Sequence, residues 1–183
     1  KEVEVPENVT VIKVENARYA MALISAAYFD YPARKIKVVG VTGTKGKTTT
    51  TYMIRSMLEK AGHKVGVMGT IEVIIGDEHI AVNNTTPESM DIHYYFDRMV
   101  KAGCDVVVME VSSQALDQKR VEGCHFETAV FTNLTQDHLD YHGTMENYFD
   151  AKKELFRNCE KAVVCIDDEY GKRLCSELSL PVS

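Results

Sequence analysis

The chain of 183 residues contains no Cys-x-x-Cys pair, no apolar run near the ~18 residues a membrane helix needs, and no cluster of lysines and arginines. It also lacks internal repeats and low-complexity stretches. Each absence removes a class. The five cysteines, Cys104, Cys124, Cys159, Cys165 and Cys175, are odd in number and unpaired in spacing. They read as buried thiols in a reducing cytoplasm, not as a zinc site or a disulfide framework. No segment reads as a membrane span. A net charge of -6 without a basic cluster argues against a nucleic-acid platform. The opening "KEVEVPENVT" is charged and polar, unlike a secretory signal. The remaining composition suits a cytoplasmic globular domain with a proper core.

The apolar pattern alternates between two periods. "KIKVVGVT" (35–42) is a β-branched strand ending near glycine, and the segment from Thr48 turns helical, with Met53, Ile54, Met57, Leu58 and Ala61 on one stripe before Gly62. Residues 64–75 read as one strand, with Gly76-Asp77 as a hairpin turn. Thr86 as N-cap and Pro87 at the first helical position open a helix that stops at Gly103. Strands follow at 105–111, 127–134 and 161–167, and helices at 144–158 and 168–178. This order predicts an α/β fold: a mostly parallel sheet with helices on both faces and ligands beyond the C-terminal strand ends. Residues 1–34 read as a strand, a helix from about Asn16 to Tyr28 and an exit at Pro32, as if the tail of another unit. "LPVS" stops where a new strand begins. The expectation is a piece of a longer chain.

The chemistry gathers behind the strands. "GVTGTKGKTTT" looks like a phosphate loop, yet G-x-x-x-x-G-K-[ST] fails, because its first glycine would be Val41. The context holds nevertheless: a strand, then Gly43 and Gly46, whose backbone N–H groups can converge on phosphate, then a helix N-terminus. Lys47 can reach the β- and γ-phosphates, and the Thr48 hydroxyl can bind Mg²⁺. Lys45 is either a second cation or a solvent-facing lysine. Glu110, inside an apolar strand, is either a Mg²⁺ ligand or a carboxylate satisfied by a nearby lysine or backbone. Ser112, Gln118 and Arg120 can hold an anionic substrate. Asn133, Asp137, His138, Asp140 and His142 crowd one stretch, as a two-histidine metal site or a hydrogen-bonded cluster. Lys152 falls on the apolar stripe Met145, Tyr148, Phe149, Leu155 and Phe156. A lysine there either snorkels or, with a lowered pKa, becomes a nucleophilic amine.

Taken together, "TGTKGKTTT", "MEVSS" and "TNLTQDHLDYHG", in this order, resemble the Mur ligases, ATP-dependent amide-forming enzymes of peptidoglycan precursor synthesis. "NTTPES" and "DDEYGK" resemble the branch that adds a third amino acid, diaminopimelate or L-lysine, to UDP-MurNAc-L-Ala-D-Glu. The resemblance implies a P-loop-type central domain over 35–183, incomplete, preceded in 1–34 by the tail of a UDP-binding domain and a linker. It implies that Gly43, Thr44, Lys45, Gly46, Lys47, Thr48 and Thr49, with Asn133, bind ATP. Thr48, Glu110 and His138 would hold Mg²⁺, and Lys152 would be carbamylated to hold a second. Lys47, His138 and Lys152 are the implied catalytic residues. Asn84, Thr85, Thr86, Ser112, Gln118 and Arg120 would bind the UDP-MurNAc-dipeptide. The family's shorter loop, counted from Gly43, accounts for the failed spacing. Two positions depart from the family: Lys45 stands where asparagine is usual and Gln114 where histidine is. The 183 residues alone are expected to be an incompetent ligase. A folylpolyglutamate synthetase-like ligase and a non-catalytic nucleotide-binding module are the rival readings.

Overall fold

The computed structural model describes residues 4–183. Residues 1–3 of the expected N-terminal tail lie outside them. Seven strands form one sheet: β1 (Lys37–Thr42), β2 (Val65–Met68), β3 (Glu72–Ile75), β4 (Glu78–Ala81), β5 (Val106–Glu110), β6 (Phe126–Phe131) and β7 (Cys159–Val164). Their order is β4-β3-β2-β5-β1-β6-β7. β2, β5, β1, β6 and β7 run parallel, while β3 and β4 add an antiparallel edge. The helices are α1 (Ala17–Tyr28), α2 (Lys47–Lys60), α3 (Ser89–Lys101), α4 (Ser113–Asp117), α5 (Leu139–His142), α6 (Met145–Lys153) and α7 (Glu169–Glu177). Helices cover both faces, as expected. Val107 and Met109 of β5 point into a large layer with Ile92, Phe96, Met99, Phe149, Leu155 and Phe156. Val108, between them, points to the other face, where it packs with Val41, Val65 and the α2 residues Ile54 and Leu58.

Several local expectations are corrected. The single strand at 64–75 is two, because the chain reverses at 69–71 to pair β3 antiparallel with β2. α3 starts at Ser89 with Glu88 as N-cap, two residues later than predicted. The Thr86 hydroxyl is used elsewhere: it donates to Glu110 O at 2.9 Å and accepts from Ser112 N. The sheet-facing stripe of α2 is Thr51, Ile54 and Leu58, while Met53 and Met57 are exposed. Residues 113–117 form a short helix, α4, between the strand end and Gln118. The helix at 144–158 tightens into a 3₁₀ turn over Glu154–Asn158. Residues 4–15 hold no strand, and their valines stay exposed, because no neighbouring strand supplies partners there. α1 forms as expected, capped by Asn16. At the other end Val182 pairs in parallel beside β7, where a new strand was expected. All five cysteines are free. No described helix is long and apolar enough to cross a membrane.

Candidate functional site

Parallel pairing puts the ends of β2, β5, β1, β6 and β7 on one side of the sheet, and the loops that follow them meet there. The loop after β1 is shaped by two glycines. Gly46 has φ +84 and caps α2, and a Cβ there would meet nothing. Gly43 has φ +149, and a Cβ would lie 1.9 Å from Thr132 Oγ1 and 3.1 Å from the Asn133 backbone. Gly43→Ala is therefore expected to cost roughly 2–4 kcal/mol, read as a lower unfolding midpoint, because the Thr132 hydroxyl, bonded to Lys45 O, would be displaced and the Asn133 backbone crowded. A midpoint equal to that of the unaltered protein would refute the packing argument.

Asn133 braces this loop. Its Oδ1 accepts from Lys45 N, its Nδ2 donates to Lys45 O, each at 3.0 Å, and its carbonyl accepts from Thr44 N at 2.9 Å. Asn133 thus holds the loop through the backbone of residue 45, whose side chain is exposed. The brace uses the backbone of residue 45 and leaves its side chain without a part in it, so a lysine is accommodated there. Thr49 is also exposed, in the first turn of α2.

Two lysines converge on one carbonyl. Lys47 Nζ donates to Gly43 O at 2.9 Å and Thr44 O at 3.1 Å. Lys152 Nζ donates to the same Gly43 O at 2.9 Å and lies 4.6 Å from the centre of the Tyr148 ring. Lys152 does not snorkel; it is 1% exposed. Burial, and then the charge of Lys47, hold its pKa well below that of an ordinary lysine, with Asp137 opposing. Burial also lowers the pKa of Lys47, against the attraction of Glu110 and Asp137. Among the described residues neither lysine has a carboxylate ion pair.

Glu110 ends β5 and is 1% exposed. Its Oε1 accepts from the Thr48 hydroxyl and from Thr70 N, both at 2.9 Å, and its Oε2 accepts from the Thr70 hydroxyl at 3.0 Å. Only neutral donors hold the charge; no described lysine pairs with it. Thr48 and Glu110 offer a hydroxyl and a carboxylate side by side, the hard oxygen donors that suit Mg²⁺. With Thr44, Gly46, Lys47, Thr70 and Thr85 they line a cavity of about 290 Å³. Thr70 escaped the sequence reading. The signal was present in "MGT", another strand end, and Gly69 must lack a Cβ because Glu110 Oε1 would lie 2.4 Å from it.

His138 stands apart from that pair. It has φ +50 at the start of α5, and its side chain is 43% exposed. No hydrogen bond joins its imidazole to Thr48, Glu110 or Lys152. The His142 ring is buried, with Nε2 2.9 Å from Ser113 Oγ. Both rings pack on Tyr148, at 5.9 Å for His138 and 5.1 Å for His142. Among the described residues no three His, Cys, Asp or Glu side chains converge on a metal position, so the two-histidine alternative finds no third such ligand. Gln114 Oε1 accepts from Ser113 Oγ at 3.3 Å.

The residues expected to bind substrate form a second group. Arg120 donates to Thr86 O at 2.9 Å and to Gln118 Oε1 at 2.8 Å, and pairs with Glu88 at 3.0 Å. Gln118 Nε2 donates to Tyr141 OH. Ser112 caps α4. Thr85 joins this group to the loop cavity through Thr70, whereas Asn84 lies in a separate shallow cleft with Pro87 and Tyr95.

The family model described as Mur ligase middle domain matches residues 41–181. The UDP-N-acetylmuramoyl-L-alanyl-D-glutamate--2,6-diaminopimelate ligase 1 of Clostridium acetobutylicum is 53% identical over 167 residues, covering 91% of this chain and 35% of that protein. A solved structure of a UDP-N-acetylmuramoyl-L-alanyl-D-glutamate--2,6-diaminopimelate ligase superposes with a TM-score of 0.78 at 29% identity, over 90% of this chain and 35% of that one. The Mycobacterium tuberculosis folylpolyglutamate synthase, solved with ADP and AMPPCP, reaches a TM-score of 0.72 over 90% of this chain and 46% of that one. At 14% identity that likeness shows the fold alone. The chain spans about a third of the length of the curated relatives it matches.

Proposed function

The chain belongs to the Mur ligase family, whose middle-domain model matches residues 41–181, and from that premise we propose that its site binds MgATP for an amide ligase. The full-length protein adds 2,6-diaminopimelate to UDP-MurNAc-L-Ala-D-Glu in the cytoplasm. The observation that carries this reading is the meeting of Lys47 and Lys152 on the Gly43 carbonyl beside a buried Glu110. Lys47, a cation with no described carboxylate partner at the mouth of a helix, suits a polyphosphate. The choice of amino acid rests on the names of relatives such as those from Clostridium acetobutylicum and Clostridium tetani, 53% and 52% identical. The folylpolyglutamate alternative has fold similarity alone.

In this reading Lys47 exchanges its loop carbonyls for the β- and γ-phosphates. Thr48 and Glu110 would hold Mg²⁺, which supplies charge neutralisation to the phosphates when bound; His138 would approach that ion from α5. The D-Glu γ-carboxylate attacks the γ-phosphorus and ADP leaves, giving an acyl phosphate. The incoming amine then attacks the acyl carbon, loses a proton and expels phosphate. The middle domain contributes positioning and electrostatic stabilisation. Ser112, Gln118 and Arg120, with Thr85 and Thr86 near them and Asn84 in its separate cleft, would seat the dipeptide substrate. Residues 1–34 would link this domain to a UDP-binding one. In its neutral form, which burial favours, the Lys152 amine can add CO₂, losing a proton, to become a carbamate, an anion that would be able to hold a second Mg²⁺.

Ligation assays of the full-length protein test the reading. Amide product is expected with UDP-MurNAc-L-Ala-D-Glu and 2,6-diaminopimelate, with none from a pteroylglutamate acceptor; the reverse pattern overturns it. Glu110→Gln keeps the shape and most donors' partners but removes the charge. It is expected to weaken Mg²⁺-dependent ATP binding about tenfold or more while Mg²⁺-free binding stays the same. Equal Mg²⁺ dependence in both proteins would remove Glu110 from the metal site.

A further inference from the structure

Tyr148 belongs to neither the loop nor the residues expected to hold ligand, yet it lies against three of them, Thr44, His138 and Lys152. It is fully buried, and its hydroxyl lies 3.2 Å from Thr44 Oγ1. Thr44 is itself buried; its hydroxyl donates to Thr135 O at 3.2 Å and accepts from Thr135 N at 3.0 Å. With that proton placed, Tyr148 is the donor to Thr44. One helical turn along α6, Lys152 donates to Gly43 O. Two adjacent loop residues, Gly43 and Thr44, are thus joined to two residues stacked on one helix face, Lys152 and Tyr148. A single link leaves the loop free to turn about it. Two neighbouring links fix the orientation of the Gly43–Thr44 peptide against α6. The Tyr148 ring also flanks the Lys152 ammonium and separates the His138 and His142 rings.

We propose that Tyr148 is a positioning residue: its hydroxyl locks Thr44, and with Lys152 it sets the phosphate loop in register with α6. The geometry is independent of the ligand, but the consequence for MgATP rests on the reading given under Proposed function.

The test is hydrogen exchange of the loop amides in protein without nucleotide, together with calorimetric titration of MgATP. Tyr148→Phe keeps the ring and removes the hydroxyl. It is expected to speed exchange at residues 43–48 and to weaken MgATP about fivefold to tenfold, with the unfolding midpoint nearly unchanged. Thr44→Val should reproduce both effects, Thr44→Ser should restore them, and the Tyr148→Phe/Thr44→Val pair should be no worse than Thr44→Val alone. Unchanged loop exchange in Tyr148→Phe, additive losses, or faster exchange throughout the domain would each overturn the proposal. Failure of the unaltered protein to bind MgATP would instead refute the nucleotide reading, and the loop-exchange comparison would still decide the role of Tyr148.

Discussion

Lys47→Ala is expected to weaken MgATP binding about hundredfold while the unfolding midpoint barely moves. The two results belong together. Lys47 is half-buried without an ion pair, and its ammonium is spent on two loop carbonyls, Gly43 O and Thr44 O. Removing it leaves Gly43 O still bonded to Lys152 and relieves a desolvated cation. Little stability is lost, because the desolvation of the ammonium offsets the two hydrogen bonds it makes. The affinity loss is large because charge-assisted bonding to phosphate, worth ~1.5–3 kcal/mol net of the loop carbonyls given up for it, disappears. Titration of the purified protein with MgATP, beside a thermal melt, measures both. An affinity within about twofold of the unaltered protein would remove Lys47 from the phosphate site.

Lys152→Ala carries the second large effect. Ligation by the full-length protein is expected to fall by at least about hundredfold, the scale of losing one preorganised electrostatic group. Bicarbonate or chloride should restore part of it, because a small anion can occupy the space of a carbamate. Lys152→Arg should not be rescued, since its guanidinium fills the space and keeps the positive charge. Isotope-labelled bicarbonate should give a carbamate resonance in the unaltered protein that vanishes in Lys152→Ala. Full activity in the alanine variant would end the carbamate idea. The stability readout is separate. Truncating a comparably buried methionine costs ~2–5 kcal/mol, and Lys152→Ala should cost less, because a desolvated amine with no described carboxylate partner leaves with the side chain.

Much of this architecture was legible in the chain. The strand-to-loop-to-helix passage around Gly43 and Gly46 is a local pattern, and local patterns survive translation into structure. The stripe on α6 marked Lys152 as out of place, since Tyr148, Phe149, Leu155 and Phe156 surround it in sequence period and are buried in fact. Periodicity could not decide whether Lys152 snorkels, because that depends on what lies above the helix. What lies there is the Gly43 carbonyl. The break at Gly69 was hidden for a related reason: "KVGVMGTIEVII" is apolar on either side of the turn, and the strand reverses because β3 pairs back on β2. Thr70 and the Tyr148 hydroxyl were missed because a threonine and a core tyrosine carry no sequence signature of a polar task.

The sequence by itself determined the alternating sheet, the phosphate loop and the family, since each rests on residues spaced within a few turns of chain. Only the tertiary structure decided which of two lysines and which carboxylate share a site. Thr48 and Glu110 are 62 positions apart, and Lys152 is 109 from the carbonyl it holds. Parallel strands bring those distant residues together at the C-terminal end of the sheet. Burial there makes each unpaired charge costly, so Glu110 gathers neutral donors and the two lysines gather on one carbonyl oxygen.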